Sequence, residues 1–160
     1  MNTSTKQIAK HFRDVHTGGN WTSVNLKDTL VDITWKEATT KVYDLNTIAV
    51  LVFHINYYVS AILKVMHGSP LDAHDKYSFD LAPLSFEEEW QALVNKTMTE
   101  AAQLAAMIEE LDDTQLQNDF ADPKYGNYYR NLLGVTEHTH YHLGQISLIK
   151  KIVRQTGTDR

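Results

Sequence analysis

The stretch EHTHYHLGQISLIKK, residues 137–151, has two distinct sides when wound as a helix. His138, His142, Gln145, Ile146 and Ile149 fall on one side, with Val135 a turn earlier. Glu137, His140, Gly144, Ser147 and Lys151 fall on the other, with His140 about 200° round from His138. An apolar stripe at helical spacing, opposite a polar one, predicts an amphipathic helix over 127–155. Its histidine pair turns toward a core, and His140 turns toward solvent.

Working outward, the chain is sparsely punctuated, with three Pro and seven Gly. Gly18-Gly19, Gly68 with Pro70, Pro83, and Pro123 with Gly126 mark breaks. The segments between them keep a helical period. A first helix is predicted over 4–16, where Ser4 and Gln7 have capping-box spacing. A short helix follows near 24–31, and a helical turn begins at Thr34, with Glu37 again at capping-box spacing. A second long helix is predicted over 46–67, with Asn46 as N-cap and Gly68 just past its end. A third runs over 85–111, opened by Ser85 and Glu88. The expected fold is therefore all-α: one domain over 1–160, a four-helix bundle. Each connection between long helices exceeds about ten residues, longer than a usual bundle loop, which points to crossover connections.

Composition bounds the function. The chain has 160 residues and a 42% hydrophobic fraction, enough for one core. Net charge is −5, and the only basic cluster is Lys150-Lys151 with Arg154, at a helix end where cations suit the dipole. A nucleic-acid partner is not expected. There is no cysteine, so disulfides, thiolate metal ligands and a cysteine nucleophile are excluded. The N-terminus lacks an apolar signal core, and the longest apolar run, residues 48–53, is too short to span a bilayer. A cytoplasmic protein without a membrane partner is the expectation.

The histidines carry the chemistry. His138 and His142, four apart, stand a turn apart on one face and can share one metal ion. His54 lies within IAVLVFHINYYV, the most apolar stretch, in line with Leu51, Tyr58 and Ile62. A histidine buried there needs its nitrogens satisfied. Either it bonds a tyrosine or a backbone carbonyl, or it joins the pair as a third ligand. The two inward-facing Glu-x-x-His motifs of di-metal bundles are absent, since the single such spacing, Glu137 with His140, lies on the polar side, and no HExxH motif is present, since residue 139 is threonine. A set of neutral nitrogens suits Zn²⁺ or Ni²⁺ better than Mg²⁺ or Ca²⁺, and three protein ligands leave open positions. Tyr58 and Gln145 are the polar residues best placed to line such a site. His11, His16, His67 and His74 sit near predicted helix ends or loops and are read as solvent-facing. Trp21, Trp35 and Trp90 are read as core or helix-docking residues. Glu87, Glu88 and Glu89 suit a helix N-terminus without a partner, and Gly144 is read as a point of close helix approach.

The same residues resemble a known family. His138, His142, Gly144 and Gln145 are similar to the last-helix signature of the DinB/YfiT-like superfamily. His54 and Gly68 resemble its second-helix pattern, and Trp21 with the 26–31 stretch resembles the region after its first helix. The resemblance implies a bundle with a crossed connection order, a divalent metal held by His54, His138 and His142, and often a homodimer. Characterised relatives include S-transferases using bacillithiol or mycothiol and a maleylpyruvate isomerase, and others are described as metal-dependent hydrolases.

Three functions follow. In the first, an open metal site holds a low-molecular-weight thiol as thiolate, which attacks a small electrophilic substrate. In the second, the metal activates water for hydrolysis, which calls for a general base. A carboxylate within reach of the metal would favour this one. In the third, the metal is structural and no open pocket adjoins it.

Overall fold

The computed structural model describes residues 3–157 and contains no strand among them, only an isolated bridge between Asp119 and Asn127. Four long helices form the body: α1 (Ser4–Thr17), α4 (Ile48–Met66), α5 (Glu87–Glu109) and α6 (Tyr128–Gly157). Two short helices, α2 (Leu26–Leu30) and α3 (Trp35–Thr39), occupy the first connection. Three 3₁₀ turns, Asp75–Tyr77, Asp113–Gln117 and Pro123–Tyr125, punctuate the other two.

The helix packing is crossed. α5 packs on α1 and α4, and α6 packs on the same two helices. Consecutive long helices α1 and α4 therefore stand across the bundle diagonal, as do α5 and α6. The long first and third connections make those crossings, as their length predicts.

Helix starts combine local signals with distant ones. Thr34 and Glu37 form a complete capping box for α3, as their spacing predicts. Gly68 ends α4 with φ +88, a backbone geometry that glycine adopts without strain. Three predicted caps are displaced. Thr3, not Ser4, caps α1, because the Asp113 carboxylate from the α5–α6 connection accepts the Ser4 and Thr5 backbone N–H groups at 3.0 Å each. Thr47, not Asn46, caps α4, its side chain accepting from Val50 N. α5 starts at Glu87 with no side-chain cap, and Ser85 instead donates its backbone N–H to the Glu89 carboxylate at 2.6 Å. Glu87 does have a partner: its carboxylate accepts the Trp35 backbone N–H at 2.9 Å and so closes the start of α3 from outside.

The core divides into two apolar clusters along the bundle. One gathers Leu51 and Ile55 of α4, Trp90 and Leu93 of α5, and Leu143, Ile146 and Ile149 of α6. The other gathers Val59 and Ile62 of α4, Leu104 and Ile108 of α5, and Leu132 and Val135 of α6. Between them runs a belt of buried polar residues, His54, Asn56, Thr97, Thr136, Thr139 and His142. The threonines return their hydroxyls to carbonyls one turn earlier on their own helices. Asn56 donates to Glu100 at 3.0 Å. By length and composition α4 could cross a membrane, although its longest uninterrupted apolar run is short. In the fold, 67% of its most apolar window is buried against its neighbours.

The aromatic residues separate. Trp90 is fully buried and donates its indole N–H to the Ile33 carbonyl at 2.7 Å, and Trp35 packs against the core edge. Trp21 departs from its predicted core role and is 98% exposed in the irregular turn after α1. Gly144 is exposed with open space around it, so no helix approaches there.

Candidate metal centre

α4 and α6 pack side by side, and that contact brings the predicted histidines together. The nearest ring nitrogens of His54, His138 and His142 all lie within 4.8 Å of one another. Their ring centroids are 4.5 to 4.8 Å apart, pair by pair. His54 and His142 are buried and His138 is half-buried. No other group of three or more His, Cys, Asp or Glu residues among the described residues has this geometry.

The outer nitrogens fix how the inner ones point. His54 Nδ1 lies 3.2 Å from the Ser78 carbonyl, and His142 Nδ1 lies 2.7 Å from Gln145 Oε1. Both partners only accept, so each Nδ1 carries the proton and each Nε2 is left as a lone pair. His138 Nε2 stands 3.0 Å from His54 Nε2, while His138 Nδ1 is buried with no partner. Two imidazole nitrogens that close, one already a lone pair, suit joint ligation of a cation. The outer hydrogen bonds are the kind that orient metal-bound imidazoles. The donor set therefore fits a divalent ion of the Zn²⁺ or Ni²⁺ class, with all three nitrogens on offer from neutral rings.

Electrostatics keep those rings neutral. Burial depresses His138 to about 4, helped by the neighbouring His142 and His54. Burial also lowers His54, with His142 adding to the effect, and lowers His142. A ligand that is unprotonated at neutral pH needs no proton displaced on binding.

The connection between α4 and α5 wraps the outer side of this site. Phe79 stacks on His54 with ring centroids 3.8 Å apart and an interplanar angle of 12°. Tyr58 stands beside the histidines, its ring 5.3 Å from His54 and 5.0 Å from His138. Its hydroxyl donates to the Asp75 carboxylate, and burial together with that bond pushes the phenol up to about 12. Gln145, the other predicted lining residue, is the acceptor for His142. Ser78, Phe79 and Asp75 were not legible beforehand, because they reach the site through the path of a connector. Ser78 acts through its main chain, which leaves no residue-type signal.

Two other histidines differ from their predicted exposure. His16 is 1% exposed, donating from Nδ1 to the Phe12 carbonyl at 2.8 Å. His140 is half-buried and its ring stands 5.9 Å from that of His11. α1 packs on that side of α6, so the polar side is not all solvent-facing. His11, His67 and His74 are exposed.

A cavity of about 320 Å³ borders His138 and Tyr58. A second, of about 510 Å³, shares Tyr58, Ile62 and Asn131 with it and extends past Asp75 to Phe120. A third, of about 670 Å³, lies away from the histidines and is lined by the Arg154–Glu37 ion pair, which ties α6 to α3.

A family model described as the DinB superfamily matches residues 19–146. The chain belongs to the DinB superfamily. The matched span contains all three histidines and Gln145, so the candidate metal centre lies within the DinB region. No curated protein and no solved structure matches the chain.

Proposed function

We propose that the chain is a divalent-metal-dependent S-transferase that joins a small thiol of the bacillithiol type to an electrophilic small molecule. The observation that carries this reading is three neutral imidazoles converging beside a cavity of about 320 Å³. A divalent ion held by His54, His138 and His142 supplies a Lewis-acid position that favours an anionic nucleophile at neutral pH. The protein's own residues prepare that position. His54 and His142 keep their protons on the outer nitrogens, against Ser78 and Gln145, so their inner lone pairs stay available. No carboxylate belongs to the ligand cluster, so the protein leaves the ion's charge for an anionic ligand to balance. The chain has no cysteine, and the sulfur nucleophile is then supplied by the small thiol. The same reading expects a cytoplasmic protein, where thiols are kept reduced, and the DinB resemblance is the ground for expecting a homodimer.

Hydrolysis is the second reading, and one observation favours it. Asp75 lies close enough to act electrostatically on His54, and its carboxylate holds the Tyr58 hydroxyl. That engagement ranks it second: the carboxylate already accepts a hydrogen bond from the Tyr58 hydroxyl, whose pKa is pushed up to about 12. The adjoining cavity counts against a purely structural metal, for which a closed site is expected.

Zn²⁺-loaded and Ni²⁺-loaded protein incubated with bacillithiol and 1-chloro-2,4-dinitrobenzene tests the reading. Conjugate formation that needs the metal and disappears in His142→Ala supports it. Metal-dependent cleavage of model esters or amides without any thiol, and no conjugation, would replace it with hydrolysis.

A further inference from the structure

The cavity beside His138 is built largely on one stripe of α6. Arg130, Gly134 and Glu137 follow the spacing i, i+4, i+7, and all three line it together with His138. The wall thus carries a cation, a gap and an anion, in that order toward the metal centre. Seven residues of helix separate the two charged positions by about 10 Å.

The two charges do not neutralise each other. Arg130 is held toward the start of α6, where its Nη1 donates to the Tyr125 carbonyl at 2.8 Å. Neither Arg130 nor Glu137 takes part in an ion pair among the described residues. Gly134 stands between them, and a side chain built there would meet nothing within 4 Å. The floor is therefore open from one charge to the other. Elsewhere on α6, Lys150 and Arg154 both pair with Asp32.

We propose that this cavity takes an amphoteric small molecule, with a cationic amine against Glu137 beside the metal centre and a carboxylate against Arg130 at the far end. A molecule with only one charge would leave the opposite wall group without its partner. The inference rests on the thiol reading only for one point: the thiol is then an amino acid-type aminothiol. The selection by charge stands on the α6 stripe alone.

The test is calorimetric binding to the Zn²⁺-loaded full chain. The probes are cysteinylglycine, its N-acetyl form, its C-terminal amide and the sulfur-free alanylglycine. The wild type is expected to prefer cysteinylglycine over each blocked form by about ten-fold, the size of one charge-assisted hydrogen bond. Glu137→Gln should abolish the preference for the free amine and keep that for the carboxylate, and Arg130→Gln should do the reverse. Equal binding of all the cysteine probes to the wild type, no measurable binding, or preferences unchanged in both variants would overturn the proposal. Alanylglycine separates the two claims. If it matches cysteinylglycine and shows the same variant responses, the amphoteric cavity stands and the thiol reading fails.

Discussion

Two groups of histidines share α6, and they resemble each other until their inner nitrogens are compared. On the α4 side stand His54, His138 and His142; on the α1 side stands His140, with His11 and His16 facing from α1. Each group contains a deeply buried neutral histidine, His54 at 5% exposure and His16 at 1%. Each of those two rings hydrogen-bonds a backbone carbonyl through Nδ1. The difference is what the other nitrogen meets. His54 Nε2 faces His138 Nε2 at 3.0 Å, whereas His16 Nε2 is buried with no partner. On the α4 side the remaining rings turn inward, Gln145 orients His142, and a cavity adjoins. Burial and neutrality alone do not make a metal centre. Convergence of lone pairs, set by acceptors outside the cluster, is what sets the candidate metal centre apart.

The largest effect is expected at His16. Burial pushes it down to about 4, against an ordinary value of 6.5, so the unfolded chain binds a proton that the folded chain refuses. Its contribution is therefore present above pH 6.5 and is lost as pH falls from 6.5 to 4, amounting to about 3 kcal/mol. His16→Leu should flatten the acid-side decline of metal-free protein in that window, read as denaturant midpoint against pH. An unchanged slope would mean that His16 is not held neutral by burial. Gln145→Leu is next. Removing the acceptor on His142 should weaken Zn²⁺ binding about 10- to 100-fold, measured by chelator competition, with the fold retained. An effect below two-fold would detach Gln145 from the site. The smallest effect is expected at Phe79→Leu. Losing the stacked ring on His54 should lower stability by about 0.5 to 1.5 kcal/mol beyond the change in buried area, by thermal unfolding of the metal-free protein.

The sequence carried the site's ligands better than its surroundings. The four-residue spacing of His138 and His142, and the apolar company of His54, are local features of a helix, and helical periodicity survives folding. Crossed packing was legible through connector length. What escaped was supplied by distant chain. Asp113 moves the cap of α1, Glu87 closes α3, and Ser78 holds His54, each across dozens of residues or through a main-chain atom. His16 departs from expectation for a related reason: its position at a helix end predicts exposure, but α1 is covered there. Trp21 was misjudged in the opposite sense, because large apolar residues are usually buried and this one stands in an irregular turn.

The claim that His54, His138 and His142 form a metal centre is tested most directly by elemental analysis of protein purified without a nickel column, beside His54→Ala, His142→Ala and His140→Ala. About one divalent transition-metal ion per chain is expected in the wild type and in His140→Ala, and none in the other two. Equal metal content in all four proteins, or loss confined to His140→Ala, would contradict it.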